Sequence, residues 1–395
     1  MKILQVSNRV PWPLDEGGNI GIYNFSRAFS ELGNQVTLYC LDGLKHNTPL
    51  KEAHEELSKY AKTYIHPIDT DIKAFDALTA LIKNESYNIS RFYNSAFESK
   101  LIDLLRKEKF DVIQLEGSFV GPYLKAIRAN FKGPTSIRMH NVEYEIWERL
   151  SFNEDNFIKK AYLAKLAKQL KHFEQQLLKQ VDLIVSITKD DDAKFEEFNT
   201  ITPRIIIPAG IDLDVWQSSP STSHLNWYHI GSMEWHANLE AVNWFLKDIH
   251  PLLIEESEKY SFHLAGKGLG HAEIKNYPRL HLYNTVANAY AFVKELDVCV
   301  VPLKSGSGIR LKILEAMAAG KLVISTTIGA QGIEYVANKH LLIADTPVEF
   351  LNHFKALSKG KVDINKMVKN ARNLIEAKYS TNALAKDLVD NYSKL

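Results

Sequence analysis

A uniformly apolar run, Val298–Val301, and a second largely apolar run, Leu322–Thr326, are joined by a loop carrying Gly306 and Gly308 and by one short amphipathic segment. A strand that is apolar at every position is one covered on both faces, which is the condition of a parallel sheet. Parallel neighbours need a crossover, and the segment between the runs has the length and pattern of a helix. Pro302 ends the first strand because it cannot donate to a ladder, and Gly320 ends the helix. The loop therefore stands at a strand's carboxyl end, where the unpaired amides and positive end of the next helix face it. Gly306 and Gly308 admit close approach of a ligand to the backbone. Arg310 and Lys312 supply full charges suited to a diphosphate, and Glu315, one turn on, is placed to accept the two hydroxyls of a ribose. The bland alternative is a surface helix with an Arg–Glu turn contact and a solvated lysine. Ser305 and Ser307 serve either turn amides or a phosphate.

The same alternation runs along the whole chain. Lys2–Val6, a helix over Ile20–Leu32 closed by Gly33, and Gln35–Cys40 make a strand–helix–strand opening. Strands are expected at 112–115, 135–138, 183–187 and 205–207, with a helix over Phe97–Lys107. A second series begins at Trp227–Ile230 and continues through 261–265, 280–283, 298–301 and 322–326. The expected fold class is α/β, with two Rossmann-like parallel sheets wrapped by helices. The Ser, Thr and Pro-rich stretch after Pro208-Ala-Gly-Ile-Asp212 marks the domain change, giving domains over 1–208 and 209–377. Residues 378–395 read as a helix capped at Ser380.

A chain of 395 residues is long enough for two such cores. With 48 basic and 47 acidic residues the formal charge is +1, so no general attraction to nucleic acid is implied and none is expected as a partner. Cys40 and Cys299 fall in apolar strands of different halves, which reads as two buried thiols and fits a reducing cytoplasm. The opening residues lack the long apolar core of a secretion signal, and no window has the apolar length of a membrane span.

Other polar groups carry two readings each. Arg138-Met-His-Asn-Val-Glu143 follows an apolar strand, so His140, Asn141 and Glu143 stand at a carboxyl end, where they bind sugar or cap the next helix. Glu116, after 112–115, is an acceptor-site candidate or a turn carboxylate. Gly17 and Gly18 expose backbone between the first strand and helix, or simply make a tight turn. Asp190, Asp191 and Asp192 have the look of a metal-binding acidic motif, but Thr188 offers an N-cap and acidic residues are ordinary in a first helical turn. No other His, Cys or Asp pattern has zinc-ligand spacing, so no metal site is expected. Gly266, Gly268 and Gly270 are spaced G-x-G-x-G, which argues against a dinucleotide fingerprint. The helix expected over 157–180 is basic and amphipathic, suited to core packing or to peripheral contact with a membrane.

The thirteen residues Gly306-Ser-Gly-Ile-Arg-Leu-Lys-Ile-Leu-Glu-Ala-Met-Ala318 resemble the nucleotide-binding segment of GT-B glycosyltransferases, in particular glycosyltransferase family four. The resemblance extends over nearly the whole chain. It implies two Rossmann-like domains facing across a cleft, an N-terminal acceptor domain and a C-terminal donor domain, with the chain's end returning to the first. It also implies transfer of a sugar, with retention of configuration, from a nucleoside-diphosphate sugar to a hydroxyl of a glycan or lipid-linked acceptor, as in polysaccharide biosynthesis. Neither metal nor cofactor beyond the substrate is then required. By the same resemblance Gly17, Gly18, Gly306, Ser307, Gly308 and Glu315 belong to the donor site, while His140 stands near the donor sugar and acts with Arg310 and Lys312. Two departures are visible. Ser307 occupies the place of the first of two glutamates found in many members, and Gly231-Ser232 opens a turn lacking the Arg and Lys that many relatives carry there. A nucleotide-sugar epimerase or phosphorylase on the same fold, or a non-catalytic nucleotide-sugar-binding module, are the alternatives. The expected location is cytoplasmic, at most peripheral at the inner face of the membrane.

Overall fold

The computed structural model describes residues 1–14, 17–44, 48–82, 84–198, 201–220, 223–272, 274, 276–284, 286–306 and 308–395. The chain forms two compact units, Met1–Gly210 with Asn382–Leu395, and Ile211–Thr381.

The first unit is built on a parallel sheet of seven strands: β1 (Lys2–Ser7), β2 (Gln35–Gly43), β3 (Ala61–Ile68), β4 (Val112–Glu116), β5 (Thr135–Met139), β6 (Leu183–Ser186) and β7 (Arg204–Ile206). Their order is β3-β2-β1-β4-β5-β6-β7. The chain runs outward one way from β1 and the other way from β4, so the loops after these two strands diverge and leave a crevice. The central strands are buried along their whole length, as their unbroken apolar pattern requires. Three helices of this unit matter below: α1 (Gly17–Glu31), α2 (Glu143–Phe152) and α3 (Phe157–Leu178). The two sheet faces carry separate cores, one around Leu4, Leu115, Phe97 and Leu170, the other around Ile3, Phe25, Val112 and Val185.

The second unit has six parallel strands, β8 (Asn226–Ile230), β9 (Ser261–Ala265), β10 (Leu280–Tyr283), β11 (Val298–Val301), β12 (Leu322–Ser325) and β13 (Leu342–Ile343), in the order β10-β9-β8-β11-β12-β13. The reversal lies between β8 and β11, which pair in register at Val298 with Trp227. Helices α4 (His236–Trp244) and α5 (Leu311–Ala318) leave the loops after those two strands. Gly320, at φ +72°, closes the α5 end in the left-handed conformation that glycine adopts without strain. The last helix, α6 (Thr381–Tyr392), places Ala385, Leu388 and Tyr392 in the core of the first unit beside Ile3 and Val185.

Two strands have no counterpart in the sequence reading. β3 carries Lys62, His66 and Pro67, so its apolar signal is diluted as edge strands allow. β13 is two residues long, below the length at which any period is visible. The Ser and Pro-rich stretch after residue 212 is anchored in the second unit, where the Ser219 amide donates to the Ala319 carbonyl at 2.9 Å.

Candidate active-site residues

In the second unit the loop after β11 has Gly306 at φ +113° and Gly308 at φ +80°, both in the region side chains avoid. Ser307 lies outside the described residues. Arg310 is buried and folds back under its own loop, Nη1 donating to the Gly308 carbonyl at 2.8 Å. Its guanidinium sits 5.5 Å from the centroid of the Trp235 ring, and a Cβ on Gly306 would come within 2.9 Å of Nη2. Only glycine lets the loop backbone lie so close to that cation. Ser305 donates to Glu240 Oε2 at 2.7 Å.

Lys312, on the first turn of α5, crosses to the turn after β8. Its Nζ donates to His229 Nε2 at 3.1 Å and to Asn238 Oδ1 at 3.0 Å. His229 Nδ1–H donates to the Val300 carbonyl at 2.8 Å, which leaves Nε2 as the acceptor for Lys312. Burial, reinforced by the Lys312 charge, holds the imidazole neutral, far below its ordinary pKa. Burial also brings the Lys312 ammonium down to about 8, with Arg310 adding to the fall. Glu315, half-buried one turn on, is pushed up to about 7 by desolvation against the pull of Lys312. The site thus sets two cations and a carboxylate around a glycine loop at the sheet's reversal point. Such a set fits an anion flanked by hydroxyl groups.

In the first unit the corresponding reversal holds His140 and Glu116. His140 Nε2 lies 2.8 Å from Glu116 Oε2, and the Glu116 side chain is wholly buried while that of His140 is 21% exposed. Glu116 is the last residue of β4, beside Ser7 of β1 and Arg138 of β5. Gln5 donates to its other oxygen at 2.8 Å, as does Gln114 by a short hydrogen bond. Burial opposes ionisation of Glu116, but the His140 hydrogen bond and charge, with Arg138 and Gln5, hold it below the usual carboxylate range. His140 itself is lowered by burial against the pull of Glu116. The resting pair is a carboxylate accepting from a neutral imidazole, with Nδ1 left as an acceptor. Gln114 passes the network on, its Oε1 accepting a short hydrogen bond from Tyr392 on α6. Sequence reading named His140 and Glu116 separately; Gln114 and Tyr392 escaped it because 278 residues separate them.

The remaining candidates in this unit gather nearby. Gly17 opens α1, a Cβ on Gly18 would lie 3.5 Å from Arg9 Nη1, and one on Gly21 would lie 4.0 Å from His140 Cε1. Asn141 Nδ2 donates to Glu143 Oε1 at 3.2 Å, and burial raises the Glu143 carboxyl. Glu174 of α3, which sequence reading passed over, is wholly buried, accepts from Ser118 Oγ at 2.6 Å and from the Tyr144 amide at 3.3 Å, and is pushed up to about 8 by burial. It caps the start of α2, directly after the His140–Glu143 loop. Thr188 caps the helix of Asp190–Asp192, its Oγ1 accepting from the Asp191 amide at 3.0 Å. Among the described residues no group of three or more His, Cys, Asp or Glu is arranged to hold a metal ion, and no helix is long and apolar enough to cross a membrane.

Comparison with known proteins shows the family and the fold. Residues 16–215 match the family model described as Glycosyltransferase Family 4, and 225–359 match that of Glycosyl transferases group 1. An uncharacterized 44.6 kDa protein in the cps region of Klebsiella pneumoniae is 23% identical, covering 96% of this chain and 97% of that one. Among solved structures, sucrose-phosphate synthase from Thermosynechococcus elongatus superposes with a TM-score of 0.70 at 14% identity, covering 100% of this chain and 99% of that chain. HepE from Anabaena, solved with UDP-glucose, superposes with a TM-score of 0.68 at 12% identity over 100% of both. The chain belongs to glycosyltransferase family 4 and has the GT-B fold.

Proposed function

We propose that this glycosyltransferase takes a hexose from a nucleoside-diphosphate sugar and transfers it, with retention of anomeric configuration, to a hydroxyl of a glycan or lipid-linked acceptor in polysaccharide assembly. The observation that carries the reading is the pairing of Arg310 and Lys312 with the Gly306–Gly308 loop, one turn before Glu315. The cations receive the diphosphate and Glu315 the ribose hydroxyls. Charge that develops on the departing diphosphate is met by groups already fixed in place, which lowers the barrier without reorganisation. These side chains supply the positive charge, so transfer needs no metal and no cofactor. Departure of the diphosphate leaves an oxocarbenium-like sugar, and the acceptor hydroxyl attacks the same face, its proton passing to the leaving phosphate. His140, fixed by Glu116, orients the sugar, with Gly17 and Gly18 close to the transferred group and Asn141 and Glu143 serving the acceptor. UDP-hexoses are the donors to try first, since HepE was solved with UDP-glucose.

The reading extends to a bilayer carrying the acceptor. Leu150, Phe152, Phe157 and Ile158 are exposed around the α2–α3 connection, Phe157 by 82%, with Lys159 and Lys160 next along α3. Apolar side chains flanked by lysines suit shallow insertion at an anionic surface. Two buried free thiols, Cys40 and Cys299, fit a cytoplasmic site of action.

The test incubates the protein with UDP-hexoses and glycan or lipid-linked acceptors in the presence of a chelator and follows the product by NMR. Acceptor-dependent release of UDP with a product of unchanged anomeric configuration is expected. Inverted product overturns the retaining mechanism, loss of turnover on chelation overturns metal independence, and nucleotide release without acceptor favours an epimerase or hydrolytic reaction.

A further inference from the structure

The turn after β8 reads Gly231-Ser-Met-Glu-Trp-His236, a sequence without lysine or arginine at the very reversal point where a diphosphate would be met. Lys312 fills it from the other side. Its ammonium reaches Asn238 and His229, 74 and 83 residues away in sequence, and a Cβ on Gly231 would lie only 2.6 Å from Nζ. Both partners are oriented so that they offer lone pairs. His229 spends its one N–H on the Val300 carbonyl, and Asn238 Nδ2 donates to the Ser232 carbonyl at 2.9 Å, which turns Oδ1 toward the lysine. Among the described residues the contacts of the Lys312 ammonium are to His229 and Asn238, with no carboxylate at ion-pair distance. A half-buried lysine held by an imidazole and an amide keeps its hydrogen bonds without a carboxylate in direct contact, and a third N–H remains for a ligand.

We propose that His229 and Asn238 are positioning residues that hold Lys312 by neutral lone pairs alone, so that its charge stands in the β8 turn as the subsite for a nucleoside diphosphate. The inference rests on the donor-site reading above and assigns the means by which this chain makes up for a turn without cations. The groups facing the ammonium are His229 from β8, Asn238 from α4, Cys299 from β11, and Arg310 and Glu315 from its own segment. None but Glu315 brings negative charge near neutral pH, so binding of a diphosphate draws a proton onto Lys312.

Calorimetric titration of the full chain with UDP and with uridine tests this, using the wild type, Lys312→Ala, His229→Gln and Asn238→Asp. Asn238→Asp answers the lysine charge at nearly constant shape. It is expected to weaken UDP about 30-fold while uridine changes less than about 2-fold, because only the diphosphate reads the charge. At a pH of about 8, UDP binding takes up protons from buffer, and Lys312→Ala abolishes that uptake. UDP affinity within about 3-fold of wild type in Asn238→Asp, or uptake that persists without Lys312, overturns the proposal. Nitrogen-15 spectra of the histidine rings test the hold with no nucleotide and no change at a buried site of the reference protein. His229 should stay the neutral Nδ1–H tautomer at pH values where an ordinary imidazole is protonated, with an Nε2 resonance that moves in Lys312→Ala. An unmoved resonance overturns the hold itself. If neither UDP, GDP nor ADP binds the wild type although that resonance moves, the donor-site reading falls, and the subsite falls with it.

Discussion

Glu315, to which the proposal gives the ribose, also carries a cost in stability. Its carboxyl is raised to about 7 by burial, so ionising it in the folded protein is harder than in the unfolded chain. A carboxyl raised in this way contributes stability below its unfolded pKa, and that contribution is lost as pH rises through about 7. Glu315→Gln removes the loss: thermal unfolding near pH 8 should shift upward, by about 2 kcal/mol in stability, while affinity for a nucleoside diphosphate falls at least about tenfold. Equal stability of the two proteins at high pH would show that the carboxylate is better solvated than its surroundings suggest. The Lys312 ammonium, lowered to about 8, titrates on the other side, so donor affinity should form a bell between about 7 and 8. For His140 the expectation is kinetic. His140→Ala should lower kcat by about 100-fold or more with donor binding changed less than about 3-fold, measured by steady-state kinetics beside calorimetry, and equal losses in both would refute the orienting role.

At the scale of elements, hydrogen bonds link the last helix to the site. Tyr392 of α6 donates to Gln114, Gln114 donates to Glu116, and Glu116 holds His140; Ser136 Oγ also donates to the Tyr392 hydroxyl at 3.0 Å. Every member but His140 is buried, and such networks lose more by one broken link than pairwise counting suggests. Tyr392→Phe should destabilise the protein by about 1–2 kcal/mol and reduce kcat severalfold, as read by chemical denaturation and turnover. An unchanged kcat in a destabilised variant would confine Tyr392 to packing. The glycine turns of the second unit are stricter still. Gly266, at φ +143°, would place a Cβ 1.9 Å from the Gly231 carbonyl oxygen, so the turns after β8 and β9 approach backbone to backbone. Gly266→Ala should cost about 3 kcal/mol or more in unfolding free energy. The glycine loop with its cations was legible as a candidate in the sequence because its chemistry is local: Gly306, Arg310, Lys312 and Glu315 fall within ten residues and share one loop and one helix end. His229 and Asn238 were not, since a lone histidine in an apolar strand looks structural until a lysine from another element is seen at its Nε2. Glu174 was hidden for the same reason, being one carboxylate among the glutamines and lysines of an ordinary helix.

For the molecule as a whole, the alternation of apolar strands and helices announced two parallel sheets, and the sheets are there, with their reversals at β1–β4 and β8–β11. What the pattern did not supply was the outer strands, because β3 is diluted by Lys62, His66 and Pro67 and β13 is only two residues long. Each unit presents its polar candidates at the carboxyl edge of its sheet, His140 and Glu116 in one, Arg310, Lys312 and Glu315 in the other. The central claim is that the second of these groups receives a nucleoside diphosphate sugar. Calorimetric titration of UDP, GDP and ADP into the wild type and into Arg310→Ala and Lys312→Ala tests it most directly. One nucleotide should bind the wild type and lose at least about tenfold in affinity in each variant, as removal of a charge-assisted contact requires. Binding that is indifferent to both substitutions would contradict the account.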